Sequence, residues 1–572
     1  MEKRTKLVAA VAGASLAAVG VLAATGAAGP STSLANVAAP NAKASGMSAP
    51  NILSPELQQV LWAHGSMKVE NPSNGVSTYG YDDGSTFLPL PANTTPGSVS
   101  PVQLSVTPVE AQKTEPDKNT YLVLDKQTGA DPNYDYGRHF LFQGHETGSP
   151  GYITRINLDA DGAHRVTLLA TKDSSNANLP NFDGSTWDPW AKRLLMTAEN
   201  GNKGGVWQAT LDVPSTVDNL SNVLGKGGYE GIQNDDRGNV YIVEDSGGNA
   251  GGSTSPNTKA SKRPNSYIYR FLPKDPGDLT KGGTFQALQI LRKNGDPMTY
   301  GDPSSAAGVA PDSTILSQDM KDIHTYGTSF ATKWIPLDQK DALWPDVNAL
   351  ARKSGATPLK RPENGVFQPG SKFKDFYFTE TGDTNADSAA NAVYGGWGGL
   401  FHLTQDPKSN DGSITIFFNG DSAHTGLDNI QFFGGNQLAA VEDAGDTLHT
   451  QRNALDSAYM FDTKADYSKT TNAPVRFIAE GRDASATTDS ALGSLKWPSG
   501  VFTNEGDNEI TGIHVSDGDP GKNGVLGTKK PKPFGKDGNW RAFWTQQHGD
   551  NNTWELIPSN ADRSAGYDNG DS

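Results

Sequence analysis

Acidic residues recur along this chain in a layout that can do chemistry. The stretch "EGIQNDDRGNVYIVEDSGG" opens on Glu230 and reaches Glu244 fourteen residues later. "ENGVFQPGSKFKDFYFTETGD" runs from Glu363 to Glu380, seventeen residues on, and "DNIQFFGGNQLAAVEDAGD" from Asp428 to Glu442, again fourteen. Each copy sets an acidic residue before a short apolar run, then a turn, a strand and a second acidic residue ahead of Gly. Looser relatives begin at Asp183, with Glu199 at the strand end, and at Glu509 in "EITGIHVSDGDPG". Carboxylates brought together repel and raise one another's pKa unless cations neutralise them, so a convergent set of this kind predicts a metal. The chain has no Cys, and oxygen-only ligands make calcium the first choice, with magnesium less suited to a protein cage. Acidic residues beside Gly also serve turns by accepting backbone N–H bonds. Plain turns favour Asp or Asn, whereas several of these residues are Glu, whose reach suits a shared ion.

Such a set needs a scaffold that carries equivalent positions to one place. Short runs rich in β-branched and aromatic residues, among them "RHFLFQGHETG", "YITRINLDADG", "SYIYRFLPK" and "RAFWTQQHGD", alternate with Gly, Asn and Asp turns. Repeats of about 40 to 50 residues, each holding several short strands, predict a β-propeller, in which the blades surround a central channel. The expected class is all-β, with long inserted loops at 245–265 and 296–360 and minor helices. The best helical stretch, "LDQKDALWPDVNALARKSG", is interrupted by Pro345. A carboxylate at one end of each blade's inner strand would then form a ring.

Composition narrows the partners. The 572 residues carry a formal charge of −16, which excludes the clustered basic surface that a nucleic-acid ligand requires. Lys3, Arg4 and Lys6 precede an Ala/Gly/Val/Leu-rich stretch and then Ser/Pro/Ala-rich sequence, the pattern of a Sec-type secretory signal over 1–35 and a flexible leader over 36–50. An uncleaved membrane anchor is the alternative for that stretch; no other segment is long and apolar enough to span a bilayer. A peripheral segment is expected over 51–118, the propeller over 119–560 and a disordered tail over 561–572. An exported chain without Cys has no disulfides, so packing and bound metal must stabilise it. No G-x-S-x-G elbow, Walker phosphate loop or H-E-x-x-H zinc motif is present. "SDGDPGKNG" at 516 resembles half of a calcium loop, but Thr528 stands where the closing Glu would be.

Ordered blocks between about 120 and 550 carry a family resemblance. "FQGHETG", "LLMTAENG", "GYEGI", "RPENG", "GLDNIQF" and the closing pair "NEITGIHVSDG" and "FWTQQHGDN" look like successive motifs of the PhoX-type alkaline phosphatases. That family consists of secreted six-bladed propellers that hydrolyse phosphate monoesters with calcium and iron. The resemblance implies six blades and metal ligation by Glu199, Glu230, Glu363 and Glu509, with Asp428 as a further ligand. It also implies a phosphoryl-binding Arg361, whose planar fork suits phosphate oxygens. His145 and Glu146, in the block similar to the family's Asn-His-Glu, are left between supporting the ligands and ordinary hydrogen bonding in a turn. The strand-end residues Glu244, Glu380 and Glu442 are left in the same position, and His548 is taken as structural. Two departures matter: Ala198 stands where the family has its iron-binding Cys, and Gly144 where it has Asn. The iron pair is thereby in doubt, since Ala supplies no thiolate. "MEKRTK" also lacks the twin arginine of folded export, which suits metal acquisition outside the cell. The expected protein is a secreted, monomeric, calcium-dependent phosphoester hydrolase acting on a phosphorylated small molecule, with no integral membrane partner. Two other readings are a non-catalytic, metal-stabilised or ligand-binding extracellular propeller, and a calcium-propeller lactonase or phytase-like enzyme.

Overall fold

The computed structural model describes residues 33–43, 50–65, 67–80, 114–146, 150–248, 260–300, 314–481, 496–497, 500–501, 509–535, 538–547 and 551–561. The repeated layout folds as antiparallel pairs of strands. These are β1 (Pro116–Val123) with β2 (His139–His145), β3 (Ser185–Asp188) with β4 (Arg193–Ala198), and β5 (Tyr229–Asn234) with β6 (Val240–Glu244). They continue as β7 (Gly365–Phe367) with β8 (Asp375–Glu380), β9 (Leu427–Phe432) with β10 (Gln437–Glu442), and β11 (Glu509–Ser516) with β12 (Arg541–Gln547). The odd-numbered strands touch one another in a closed cycle, β1, β3, β5, β7, β9, β11 and back to β1. Their partners lead outward into sheets, and the arrangement is propeller-like.

Outer strands complete each sheet. Ile153–Asn157 and Val166–Ala170 follow β2, while Gly205–Ala209 and Val217–Asn219 follow β4. The sheet begun by β5 and the one begun by β7 are fused into nine strands, because Phe330–Pro336 pairs with Gly283–Ile290 on one side and with Asp411–Asn419 on the other. The region 296–360, expected as a loop insertion, thus supplies a sheet strand. The helical stretch expected there folds as a short helix, Val347–Lys353, that begins only after Pro345, and Asp346 caps it by accepting from the Ala349 amide at 3.0 Å. Residues 51–118 also reach the sheets. Ile52–Leu53 pairs with Val475–Ala479, and Leu57–Ala63 pairs with Asn552–Pro558 beside β12.

The core lies between neighbouring sheets. Tyr241, Phe367, Phe376, Phe378 and Phe401 form one such layer, all at most 1% exposed, and each buried Phe contributes about 2 kcal/mol. Residues of both faces are buried along β5, β9 and β12, which is why these strands do not read as simple alternation. Among the described residues no helix is long and apolar enough to cross a membrane. Residues 33–43, which close the expected signal and open the expected leader, pack against the sheets, with Leu34 in an apolar cluster and the Val37 amide donating to the Arg476 carbonyl at 2.8 Å, while 1–32 and nearly all of the tail lie outside the described residues.

Candidate metal centre

Four of the inner strands bulge at their first residues. The register shifts between Pro116 and Asn119 in β1, Tyr229 and Ile232 in β5, Leu427 and Ile430 in β9, and Ile510 and Gly512 in β11. A bulge re-aims side chains, and those caught inside these bulges include Asp117, Lys118, Glu230 and Asp428. Glu363 and Asn364 lead into β7, and Asp183 precedes β3. The ends of the second strands lie at the same edge and bring in Glu146, Glu199 and Asp245. The result is two carboxylate groups. One oxygen each of Asp117, Glu146 and Asp183 lie within 4.8 Å of one another, and so do one each of Glu230, Asp245 and Glu363.

Asn364 lies between the groups. Its amide donates to Glu230 at 2.9 Å and to Asp428 at 3.4 Å, while its oxygen accepts from the Lys118 ammonium at 3.3 Å. This closeness requires Gly231, since a Cβ there would sit 2.7 Å from the Glu363 carbonyl and 2.9 Å from the Asn364 side-chain oxygen. The Gly231 amide instead donates to that carbonyl at 2.9 Å, tying β5 to the approach of β7.

Burial and mutual repulsion dominate the electrostatics. Asp117, Asp183, Glu199, Glu230 and Asp428 are all held well above the usual carboxylate range, first by burial and then by one another's charge. Burial pushes Glu363 up to about 8, with Arg361 opposing the shift and Asp245 adding to it. Burial pulls Lys118 down to about 8 against the attraction of Asp117, Asp428, Glu230 and Asp183. Arg361 donates to Asp245 at 2.8 and 2.6 Å and lies 3.0 Å from Glu363. Asp443 adds further negative charge against Asp117, Glu363 and Asp428. Among the described residues three cations, Lys118, Arg361 and, at the edge, Lys262, face nine carboxylates. Several buried oxygens in the set have no hydrogen-bond partner, among them Glu230 Oε2, Asp183 Oδ1 and Asp245 Oδ1. Hard oxygen donors, excess negative charge and unpartnered lone pairs fit a divalent cation such as calcium.

The positions where the sequence departs from the family's iron ligands are packed with carbon. A Cβ on Gly144 would lie 2.6 Å from the Phe182 side chain and 2.7 Å from Met196, and Ala198 is fully buried in the same apolar cluster. The residues present do not fit a thiolate-held iron.

Of the residues singled out in the sequence, the structure brings Arg361, Glu199, Glu230, Glu363, Asp428 and Glu146 together. Glu509 starts β11 opposite Gln547 and is half-buried. His145 is turned to other work: it bonds the Thr114 and Thr154 hydroxyls, stacks on Tyr152, and burial pushes its pKa down to about 3. Glu380 pairs with buried His324 at 2.8 Å and accepts from the Lys360 amide at 2.7 Å. Glu442 pairs with Arg452 at 3.1 Å, and Glu244 accepts from the Tyr269 hydroxyl at 2.7 Å. The half calcium loop at 516 is occupied by Lys529, which reaches Asp517 at 2.6 Å and Asp519 at 2.8 Å. His548 lies outside the described residues.

Sequence reasoning missed Asp117, Lys118, Asp183 as a site residue, Asp245, Asn364 and Asp443. The signal was present in "VEDSGG" and "VEDAGD": strand alternation sends the first acid of each pair outward and the second toward the channel. "EPDKNTYLVLD" likewise places Asp117 at the head of an inner strand, as "GYEGI" places Glu230.

Comparison with known proteins bears on the family and the fold. The sequence model of the family described as alkaline phosphatase PhoX matches residues 224–518. No curated protein matches the sequence. Among solved structures, the chain is similar to Pseudomonas fluorescens PhoX in complex with vanadate, a transition state analogue, at 12% identity over 92% of this chain and 98% of that one, with a TM-score of 0.54. That likeness bears on the fold. A glucose dehydrogenase is more distant, at 9% identity over 77% of this chain and 96% of that one, TM-score 0.29. So is the holo form of the pyranose dehydrogenase PQQ domain from Coprinopsis cinerea, at 10% identity over 77% and 92%, TM-score 0.27.

Proposed function

Because the chain belongs to the alkaline phosphatase PhoX family, a family of metal-dependent phosphatase-type hydrolases, we propose that it hydrolyses phosphate monoesters of small molecules at the acidic ring, with calcium as its metal. The observation that carries this reading is Arg361 set against Asp245 and Glu363 inside the carboxylate set. A fixed guanidinium beside metal-ligating carboxylates is the arrangement that phosphoryl recognition needs.

We place the metal between Glu230, Asp245 and Glu363, with Asp428 and Glu199 close by, and a second acidic position at Asp117, Glu146 and Asp183. Calcium bound there would supply positive charge to the phosphoryl oxygens and lower the cost of bringing an anion into an acidic channel. The chain's own groups do the rest. Arg361 presents its N–H fork to the non-bridging oxygens, exchanging part of its bond with Asp245 for the substrate. Asn364 and Lys118 hold Glu230 and Asp428 in place, so little reorganises when charge develops. Bringing the phosphoryl group into this buried setting excludes bulk water and strengthens each contact.

The closed cycle of inner strands supports a count of six blades. Export by the N-terminal segment and a monomeric state complete the proposal. The test is metal analysis of the purified protein together with p-nitrophenyl phosphate hydrolysis before and after chelation. Bound calcium and chelation-sensitive activity are expected; inactivity with calcium, iron and manganese each supplied would sink the enzyme reading.

A further inference from the structure

Arg361 is already committed within the protein. Its guanidinium donates to Asp245 at 2.8 and 2.6 Å and lies 3.0 Å from Glu363, so two carboxylates neutralise its one charge before any ligand arrives. A phosphate monoester carries a charge of about −2 at neutral pH. An arginine paired in this way offers that anion directed donors but little net attraction. An uncommitted cation at the same edge would supply what Arg361 lacks.

Lys262 stands there. Its segment runs beside the one that carries Arg361: the Asn265 amide donates to the Leu359 carbonyl at 3.0 Å, and the Leu359 amide to the Ser266 carbonyl at 2.8 Å. The Lys262 amide donates to Asp383 Oδ1 at 2.8 Å, and the same oxygen takes the Lys360 ammonium at 3.1 Å, one residue before Arg361. On the other side, buried Ser261 accepts from the buried Asn391 amide. The backbone of Lys262 is thus fixed from both sides, while among the described residues no carboxylate lies within ion-pair distance of its ammonium.

The surrounding charges place that ammonium. Burial pulls its pKa down, the Arg361 guanidinium pulls it further, and Asp245, Glu363 and Asp383 act against both. Arg361 is therefore the charge that bears on Lys262 most strongly, and two cations held side by side repel until an anion joins them. Access favours the same place. The Arg361 side chain is 19% exposed against 3% for Asp245 and 5% for Glu363, and Lys262 is half-buried, so an incoming anion meets the cations before the carboxylates.

We propose that Lys262 binds substrate, its ammonium and the Arg361 guanidinium together receiving the phosphoryl group at the edge of the Glu230, Asp245 and Glu363 group, an inference that rests on the phosphatase reading. The two cations divide the work by their chemistry: Arg361 orients the oxygens through its planar fork, and Lys262 adds a point charge on a flexible stem. A charge of this kind attracts substrate and transition state alike, so it acts on KM and leaves kcat nearly unchanged.

The experiment measures kcat and KM for p-nitrophenyl phosphate in the metal-loaded full chain, and the Kd of inorganic phosphate by isothermal titration. The variants are Lys262→Met and Lys262→Gln, which remove the charge, and Lys262→Arg, which keeps it. The neutral variants should raise both KM and the phosphate Kd about tenfold, with kcat within about threefold, and Lys262→Arg should restore both. KM and Kd unchanged in whichever neutral variant folds, with the ester still hydrolysed, overturn the role of Lys262 and leave the phosphatase reading intact. Losses that Lys262→Arg does not restore overturn it as well, because they mark a structural effect and not one of charge. If the unaltered chain hydrolyses nothing, the phosphatase reading falls and the phosphate titration decides alone: a Kd weakened in the neutral variants and restored by Lys262→Arg keeps the anion site, and no phosphate binding to the unaltered chain removes it.

Discussion

Arg361 and Asp245 share one carboxylate oxygen, Oδ2, which accepts from the guanidinium Nε at 2.8 Å and Nη2 at 2.6 Å. The arginine achieves this from a left-handed backbone, φ 56°, a region costly for a residue with a side chain. Neighbouring bonds hold it there: the Thr381 amide donates to the Arg361 carbonyl at 2.8 Å, and the Lys360 amide to Glu380 at 2.7 Å.

Replacing Arg361 removes the donor fork that serves the phosphoryl oxygens. Arg361→Lys should lower kcat for p-nitrophenyl phosphate about 100-fold while calcium still raises Tm. Steady-state kinetics at saturating calcium, read beside thermal unfolding, check this. A kcat within threefold of the unaltered protein would remove Arg361 from the reaction.

The raised carboxylates fix the direction of a pH effect. Without metal, Glu363 in the folded chain keeps its proton up to about pH 8, whereas in the unfolded chain it loses it near its ordinary value of 4.5. The folded state binds more protons across that window, so stability falls as pH rises through it and the loss is complete above about 8. Asp117, Asp183, Glu199, Glu230 and Asp428 act in the same direction. Metal competes with those protons, so calcium should raise Tm more at pH 8 than at pH 5. Calorimetry of chelated and calcium-loaded protein at both values reads the difference; equal shifts would contradict it.

Glu363→Gln should have effects of opposite sign in the two states. It removes a buried charge that repels its neighbours, so the chelated protein gains Tm at pH 8. It also deletes an oxygen from one carboxylate group, so calcium affinity falls, by at least tenfold, in isothermal titration. A loss of stability in both states would indicate that the residue serves packing alone.

The fully buried pair of Glu380 and His324 supports the loop that carries Arg361. Glu380→Ala strands the imidazole and the Lys360 amide together and should cost about 3 kcal/mol in urea unfolding. Activity should fall with it even in protein that remains folded, because Arg361 loses its backbone anchor. A stable variant with full kcat would separate the pair from the site.

Legibility of this molecule in its sequence was uneven for physical reasons. The hairpins at Glu230, Glu363 and Asp428 were visible because turn residues and apolar runs keep a regular order. Asp117 was hidden, since its strand precedes the first clear repeat and its bulge breaks alternation. Glu244 and Glu442 drew attention away from Asp245 and Asp443, because spacing counts residues and does not say which face each one takes. The strand at Phe330–Pro336 was hidden too: its partners are more than forty residues away in either direction, and local patterning carries no trace of them.

Leu57–Ala63 pairs with Asn552–Pro558, so the last sheet joins one of the first described strands to the last. The ring of inner strands shuts only when β11 meets β1, and the last sheet is complete only at residue 558. Closing so long a loop costs chain entropy that grows only slowly with length, but no part of it is recovered until both ends meet. The two proposed acidic positions draw on β1 at one end of the order and on the approach to β7 near the other, so cations held at both would report on closure of the whole circle. Metal capture would then act as the latch of the folding reaction, engaging last and drawing the open chain toward the closed one by mass action.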